Sequence, residues 1–460
     1  MSFYREFARY VAPSVLAFAL SGVYAITDGF FVGNALGDEA LAAINVAYPL
    51  TAFLQSVGTG VGLGGAISYA IRRGGGDEEG SRRYFGVSVV LLLLSSALLT
   101  GLYLWKALPL LGLFGAEGAI LDLGWEYIRC IALGALFQIL ATGLVPFLRN
   151  MGGTVAAMAS MITGFVTNVV LDYLFVWVLP WGMTGAAAAT VIGQAMTFLV
   201  CLGALVRRRA RPAFPRGPEA LRMMGRVLLV GLSPFGLTFS PNITLILVNK
   251  SAAVFGGAFA VMVYAPISYL SSVILLLLQG VSDGCQPLLS LSYGRGEKEK
   301  ARRVRELAHL CALVLGGMCM VLLYLLRGQT ALLFGASPAV AEEAARVLPI
   351  FLSGYLFLAL SRVTTAYLYA TNQNRRAYAL IYGEPLFLAV LLLILPAALG
   401  GVLGTWWAVP LSQMATALLS LWFLRRERRP APAAEWKRPT LLIFSAGWGA
   451  HFSQGSGVGG

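Results

Sequence analysis

Two carboxylates, Asp28 and Asp172, lie inside hydrophobic stretches that are long enough to cross a lipid bilayer. An ionised side chain in hydrocarbon costs about 2.5 kcal/mol or more, so acids at such positions are usually functional. Their usual work inside a membrane is to carry protons or to bind metal cations. These two residues therefore predict a transporter.

Two further oxygen-bearing side chains are expected at the depth of these acids. Asp28 and Asp172 each lie roughly 12 Å below the outer end of their spans, at 1.5 Å of rise per residue. Asn168 is one helical turn from Asp172 on the same face, and Thr190 lies roughly 10 Å deep in the next span. Because oxygen ligands suit hard cations, the four residues predict a site for Na⁺ or H⁺. Hydrogen bonding between helices is an equally good interpretation of Asn168 and Thr190 taken singly.

The second half of the chain places its polar residues differently. Asn249 stands where the first half has Asp28. Glu384 lies about seven residues from the inner end of the eleventh span, and it either faces a substrate cavity, pairs with Arg362 or lies near the membrane surface. Asn249, Glu384, Gln194 and Gln413 are the candidate cavity residues. Asp283 and Lys250 are expected near helix ends, with structural roles.

The elements that must hold these side chains are membrane helices. The composition is 58% hydrophobic and only 12% charged, whereas soluble proteins carry about 25% charged residues. Stretches of about 20 apolar residues span the bilayer as helices, and β-barrel strands of alternating pattern are missing from the sequence. Twelve spans are predicted, at about 11–35, 41–70, 84–105, 122–148, 154–179, 183–206, 222–250, 257–292, 305–326, 345–371, 377–399 and 401–424.

The net charge of +13 follows from topology rather than from nucleic-acid binding. Twenty-eight of the 34 basic residues fall in the even-numbered loops and at the termini. The positive-inside rule therefore predicts that both termini are cytoplasmic in a multi-pass protein of the plasma membrane.

The chain contains an internal repeat with a spacing of about 220 residues. The segment from Gly60 to Arg83 aligns with that from Gly280 to Arg303 without a gap, and Gly134 falls on Gly354. An even number of helices in each half gives both halves the same orientation, so they are related by a pseudo-two-fold axis along the membrane normal. The predicted domains are a first six-helix lobe, a cytoplasmic linker, a second six-helix lobe and a basic cytoplasmic tail, at 1–206, 207–221, 222–424 and 425–460.

Other chemistries find no support in the sequence. No Walker sequence, nucleophilic triad or DDxxD-type pair occurs, and the five cysteines and two histidines lack metal-ligand spacing. We therefore expect neither an enzyme nor a cofactor. The glycines Gly60, Gly62 and Gly65 match a dinucleotide pattern but lie in an apolar helix, where close helix packing explains them better.

Several motifs together resemble the multidrug and toxic compound extrusion (MATE) family along nearly all of residues 5–425. They are Asp28-Gly-Phe-Phe-Val-Gly33, Asn168-Val-Val-Leu-Asp172, Gly182-Met-Thr-Gly185 with the alanines up to Thr190, and the eighth span with its following loop, Gly280–Gly296. The resemblance implies twelve helices in two lobes, export of organic cations and drugs in exchange for Na⁺ or H⁺, and a first-lobe cation site. That site maps onto Asp28, Asn168, Asp172 and Thr190.

The functional hypothesis is a monomeric secondary antiporter that exports amphipathic, cationic organic compounds by alternating access. Inward movement of H⁺ or Na⁺ at Asp28 and Asp172 would supply the drive. A flippase for lipid-linked sugar precursors is the first alternative, and it would require a large basic cavity. An intramembrane enzyme is the second.

Overall fold

The computed structural model describes residues 3–36, 38–114, 116, 118–332 and 336–427, without the side chains at 24–26, 28–34, 38–39, 41–42, 45 and 258. All regular structure within these ranges is helical. The helices are α1 (Phe3–Leu36), α2 (Asp38–Gly74), α3 (Glu78–Leu113), α4 (Gly118–Leu133), α5 (Ala135–Asn150), α6 (Thr154–Asp172), α7 (Gly182–Arg207), α8 (Pro218–Gly294), α9 (Lys298–Leu325), α10 (Arg327–Thr330), α11 (Pro338–Leu352), α12 (Tyr355–Ala370), α13 (Asn374–Ala398) and α14 (Val402–Glu427). A π-helical turn, Tyr173–Val178, continues α6.

The predicted all-α membrane fold is confirmed. Nine helical segments in the described residues are long and apolar enough to cross a membrane, and two bent pairs raise this number to eleven. α1 contains the first predicted span, 11–35. The long α8 contains the seventh and eighth spans, which meet at Gly257, where φ is 65°.

The fourth and tenth spans are broken rather than continuous. α4 and α5 meet at 57°, and α11 and α12 meet at 46°. A Cβ atom at Gly134, between the first pair, would overlap Val191 of α7, and one at Gly354 would overlap Gln413 of α14. Each break therefore packs against the last helix of its own lobe, α7 or α14. The two breaks lie at Gly134 and Gly354, which the repeat aligns.

The turns after α2 and α8 give further support for the repeat. Gly76 has φ of 83° and Gly296, at the aligned position, has φ of 74°. Only glycine adopts this left-handed conformation without steric cost. We call the end of the molecule that carries these two turns the basic end, because Arg72, Arg73 and Arg295 adjoin them.

The two six-helix lobes meet closely near the basic end. A Cβ atom at Gly64 of α2 would lie 2.5–2.7 Å from backbone atoms of Val227 and Gly231 in α8. One at Gly284 of α8 would lie 2.7 Å from the Cα atom of Val11 in α1. Backbones approach this closely only where glycine removes the side chain, as in other membrane helix pairs. The interface between the lobes is therefore closed at this end.

The segment that links the two lobes packs against the beginning of α3. The backbone amide of Ala213 donates to the carbonyl oxygen of Arg82 at 3.0 Å, and Arg82 Nε donates to the carbonyl oxygen of Arg211 at 3.1 Å. The chain divides into a compact unit, Met1–Ser420, and a short second unit, Leu421–Gly460. Of the second unit only 421–427, the end of α14, is described, and the rest of the predicted tail lies outside the described residues.

The glycine contact between the lobes gives a stability prediction. Replacing Gly64 by Val would force α2 away from α8, and overpacking of this kind costs about 1–3 kcal/mol. We expect a lower melting temperature for the purified protein in detergent. Gly203→Val is the matched control, because Gly203 lies on the exposed side of α7 with open space around it. Equal melting temperatures for the two variants would contradict the close contact.

Candidate cation-binding site

One face of α6 carries the polar residues of the predicted site. Gly164, Asn168 and Asp172 are spaced by four residues and therefore lie on one side of the helix. Gly164 packs so closely on Thr197 and Gly193 of α7 that a Cβ atom at Gly164 would overlap the Thr197 hydroxyl. The side chain of Asn168 is thereby held against α7. Asp172 is 0% exposed and Asn168 is 3% exposed, so both lie in the protein interior rather than in lipid.

Asn168 and Thr190 contact each other directly. Asn168 Nδ2 donates to Thr190 Oγ1 at 3.4 Å, and that hydroxyl donates to the carbonyl oxygen of Ala186 at 3.1 Å. The Oδ1 atom of Asn168 is buried and has no hydrogen-bond partner among the described residues. Because a buried polar atom without a partner is unfavourable, this oxygen is suited to accept a bond from a bound cation or its water.

The backbone changes from an α-helix to a π-helix directly after Asp172. α6 ends there, and the next six residues, Tyr173–Val178, form a π-helix that the sequence analysis did not predict. The amide of Leu179 donates to the carbonyl oxygen of Leu174 at 2.8 Å, which is the five-residue spacing of a π turn. Such turns occur frequently at functional sites. Pro180, two residues after the π-helix, is the only local sequence signal for a break.

Asp28, the remaining predicted ligand, lies within α1, but its side chain is outside the described residues. α1 packs against both α6 and the π-helix that follows it. The helix that carries Asp28 therefore adjoins the helix that carries Asn168 and Asp172. No group of three His, Cys, Asp or Glu side chains that could hold a metal ion occurs in the part of the chain that the structure describes.

In the second lobe, Glu384 faces Arg362. The distance from Arg362 Nη2 to Glu384 Oε2 is 4.0 Å, with side chains 7% and 15% exposed. Arg362 Nη1 also donates to the carbonyl oxygen of Leu237 at 3.2 Å. The pair borders a small polar cavity, with room for about one water molecule, that is lined by Leu237, Ser240, Ser361, Arg362, Thr365, Leu380, Ile381, Glu384 and Thr416.

The other candidate cavity residues lie in different surroundings. Asn249 and Gln194 are half-buried. Gln413 is 9% exposed, and its amide oxygen lies against Gly354 at the bend between α11 and α12. The structure thus gives Gln413 a packing contact, and the cavity role of all three residues stays a prediction.

The structure also contains a buried ion pair that the sequence analysis missed. Asp283, expected near a helix end, lies well inside the second part of α8, and its Oδ2 atom is 3.2 Å from Arg149 Nη1. Arg149, in the last turn of α5, is 3% exposed. The expectation for Asp283 was wrong because its partner is 134 residues away, and no local pattern reports such a contact.

The pair between Arg362 and Glu384 gives a testable coupling. Arg362→Met would leave Glu384 without its partner, and Glu384→Gln would leave Arg362 without its own, so each single variant should melt at a lower temperature. Breaking a buried pair costs about 3–5 kcal/mol, whereas replacing both partners costs much less. We expect the decrease in melting temperature of the double variant to be smaller than the sum of the decreases in the two single variants. Strict additivity would show that the two side chains do not interact.

Comparison with known proteins agrees with this architecture. The chain is 22% identical over 438 residues to the multidrug export protein MepA of Staphylococcus saprophyticus, covering 94% of this chain and 96% of the relative. It is 24% identical over 379 residues to the probable multidrug resistance protein YoeA of Bacillus subtilis, covering 81% of this chain and 82% of that protein.

A solved structure of similar fold is the outward-facing conformation of a multidrug resistance MATE family transporter of the MOP superfamily. Its TM-score is 0.84 at 22% sequence identity, with 92% of this chain and 95% of that chain covered. The family model described as MatE matches residues 13–174 and 236–393, which is more than half of the chain and includes both lobes. The chain therefore belongs to the MatE family of membrane transporters.

Proposed function

We propose that the protein is a secondary antiporter that exports amphipathic, cationic organic compounds, including drugs, in exchange for H⁺ or Na⁺. The observation that carries this proposal is the fully buried Asp172, one helical turn from the unpartnered oxygen of Asn168. An acid in the interior of a membrane lobe marks an ion pathway more often than a structural contact. The relatives are named as multidrug export and multidrug resistance proteins, and these names support the class of substrate.

The first-lobe site would couple ion entry to export through a difference in affinity between two states. A cation bound at Asp28 and Asp172, with Asn168 and Thr190 as neutral ligands, would stabilise one arrangement of the first lobe over the other. One proton moving down a gradient supplies about 1.4 kcal/mol per pH unit. The membrane potential adds about 2.3 kcal/mol per charge for each 100 mV.

The closed interface between the lobes indicates which half of the transport cycle the structure represents. In the plasma membrane, the positive-inside rule places the basic end and both termini on the cytoplasmic side. The glycine contacts at Gly64 and Gly284 close this end. Export requires a second state in which it opens to admit the substrate.

Glu384 is the proposed anionic group of the substrate cavity, together with the amides of Asn249, Gln194 and Gln413. In the present state it faces Arg362, so an organic cation would compete with that guanidinium for the carboxylate. A lipid-linked sugar flippase would instead need free positive charge for its phosphates. The pairing of Arg362 with Glu384 and the small size of the cavity that they border favour the antiporter.

Transport by purified protein in sealed liposomes tests the proposal. A fluorescent cationic dye would be followed under an imposed pH gradient or an imposed Na⁺ gradient. We expect gradient-driven dye movement by the wild-type protein under one of them. The variants Asp28→Asn and Asp172→Asn should reduce that rate by roughly tenfold or more, because the coupling charge is removed.

Asp122→Asn is the matched control, because Asp122 is an exposed acid of α4 in the same lobe. It should transport dye at the wild-type rate. Wild-type rates in both site variants would assign the acids a structural role and refute the coupling site. Failure of the wild-type protein to move dye under either gradient would favour the flippase.

A further inference from the structure

The buried ion pair between Arg149 and Asp283 joins the two lobes. Arg149 belongs to α5 of the first lobe and Asp283 to α8 of the second, with side chains only 4% and 7% exposed. The second oxygen of Asp283 accepts a hydrogen bond from Gln279 Nε2 at 2.6 Å. The guanidinium of Arg149 lies 5.5 Å from the centre of the Phe18 ring of α1. Each charge is thus held in place by further contacts in its own lobe.

A row of polar contacts continues from this pair along one face of α8. Asn150 Nδ2 donates to Gln286 Oε1 at 2.9 Å, Gln286 Nε2 donates to Ser290 Oγ at 2.8 Å, and Ser290 donates to the carbonyl oxygen of Ala370 at 3.0 Å. Residues 279, 283, 286 and 290 follow the helical repeat, so they share a face. Of these contacts only that of Asn150 with Gln286 joins the lobes, and it cannot persist, like the ion pair, if the lobes separate there.

We propose that Arg149 and Asp283 form a charge-based lock that holds the lobes closed at the basic end and must break in every transport cycle. The proposal rests on the alternating-access function described above and adds the residues that set the balance between its two states. While the lobes are closed, each charge depends on the other because water is excluded. Once they part, water solvates both charges, so only the closed state needs the pair.

This difference predicts an unusual pattern of variants. Neutralising one partner leaves the other charge buried without compensation in the closed state alone, which is strongly unfavourable there. The population should then shift toward the state that is open at the basic end. Neutralising both partners removes the penalty, so the double variant should return toward the wild-type distribution.

Labelling of an introduced cysteine measures this distribution without any transport. Ser14 of α1 is 2% exposed and lies against Gly284 of the other lobe, so Ser14→Cys should be shielded only while the lobes are closed. Reaction with a maleimide in detergent would be quantified by peptide mass spectrometry, which separates this position from the natural cysteines. Cys201, at 0% exposure within the first lobe, reports unfolding.

We expect Arg149→Gln and Asp283→Asn each to raise the labelling rate at position 14 by roughly tenfold. The double variant should fall back to within about threefold of the wild-type rate. Glu219→Gln is the matched control, because its ion pair with Arg83 also joins a first-lobe helix, α3, to α8 but is exposed, at 53% and 37%. Exposed pairs contribute little, so its rate should change by less than about twofold.

Two results would overturn the lock. One is a wild-type labelling rate in both single variants, and the other is a double variant that labels as fast as the single variants, which would indicate a packing role. If a neutral variant also exposes Cys201, the charge-preserving changes Arg149→Lys and Asp283→Glu decide instead. Both must then leave position 14 shielded, and rapid labelling in either refutes the proposal. Because no gradient or substrate is used, the outcome is independent of the dye-transport assay.

Discussion

The cost of a charge without a partner in a water-excluded interior is the constraint on which this structure depends. Arg149 is compensated by Asp283 across the lobe interface, and Arg362 by Glu384 within the second lobe. Charges held in this way make the interior sensitive to any cation that enters, because one added charge alters several interactions.

Glycine provides the complementary constraint, which is close backbone contact. At Gly64 and Gly284 it lets the lobes touch near the basic end, and at Gly164 and Gly193 it brings α6 against α7. The first set brings the lobes into contact, and the second set positions Asn168 beside Thr190. The contact between α6 and α7 and the contact between the lobes therefore both depend on glycine, at different places in the molecule.

Local pattern was sufficient for the helices and the repeat, whereas the role of the first-lobe residues as a cation site stays a prediction. Hydrophobic length gives the spans, the 220-residue spacing gives matching turns at Gly76 and Gly296, and the spacing from Asn168 to Asp172 gives one helix face. The broken fourth and tenth spans, the π-helix and the Arg149–Asp283 pair were not foreseen. Each depends on side chains brought together by tertiary packing, and hydrophobicity alone carries no information about such partners.

We propose that an ion at Asp172 and an organic cation bind in mutual competition through the two states of the protein. The most direct test of this competition is the affinity of purified protein in detergent for a fluorescent cationic dye, measured against pH and against Na⁺ concentration. In the wild-type protein, saturation with the coupling ion should weaken dye binding by about tenfold, a usual size for coupling between sites. Asp172→Asn should bind the dye with an affinity that no longer depends on that ion. Two results would contradict the account. One is a dye affinity of the wild-type protein that depends on neither pH nor Na⁺ concentration, and the other is an ion dependence that persists in the variant.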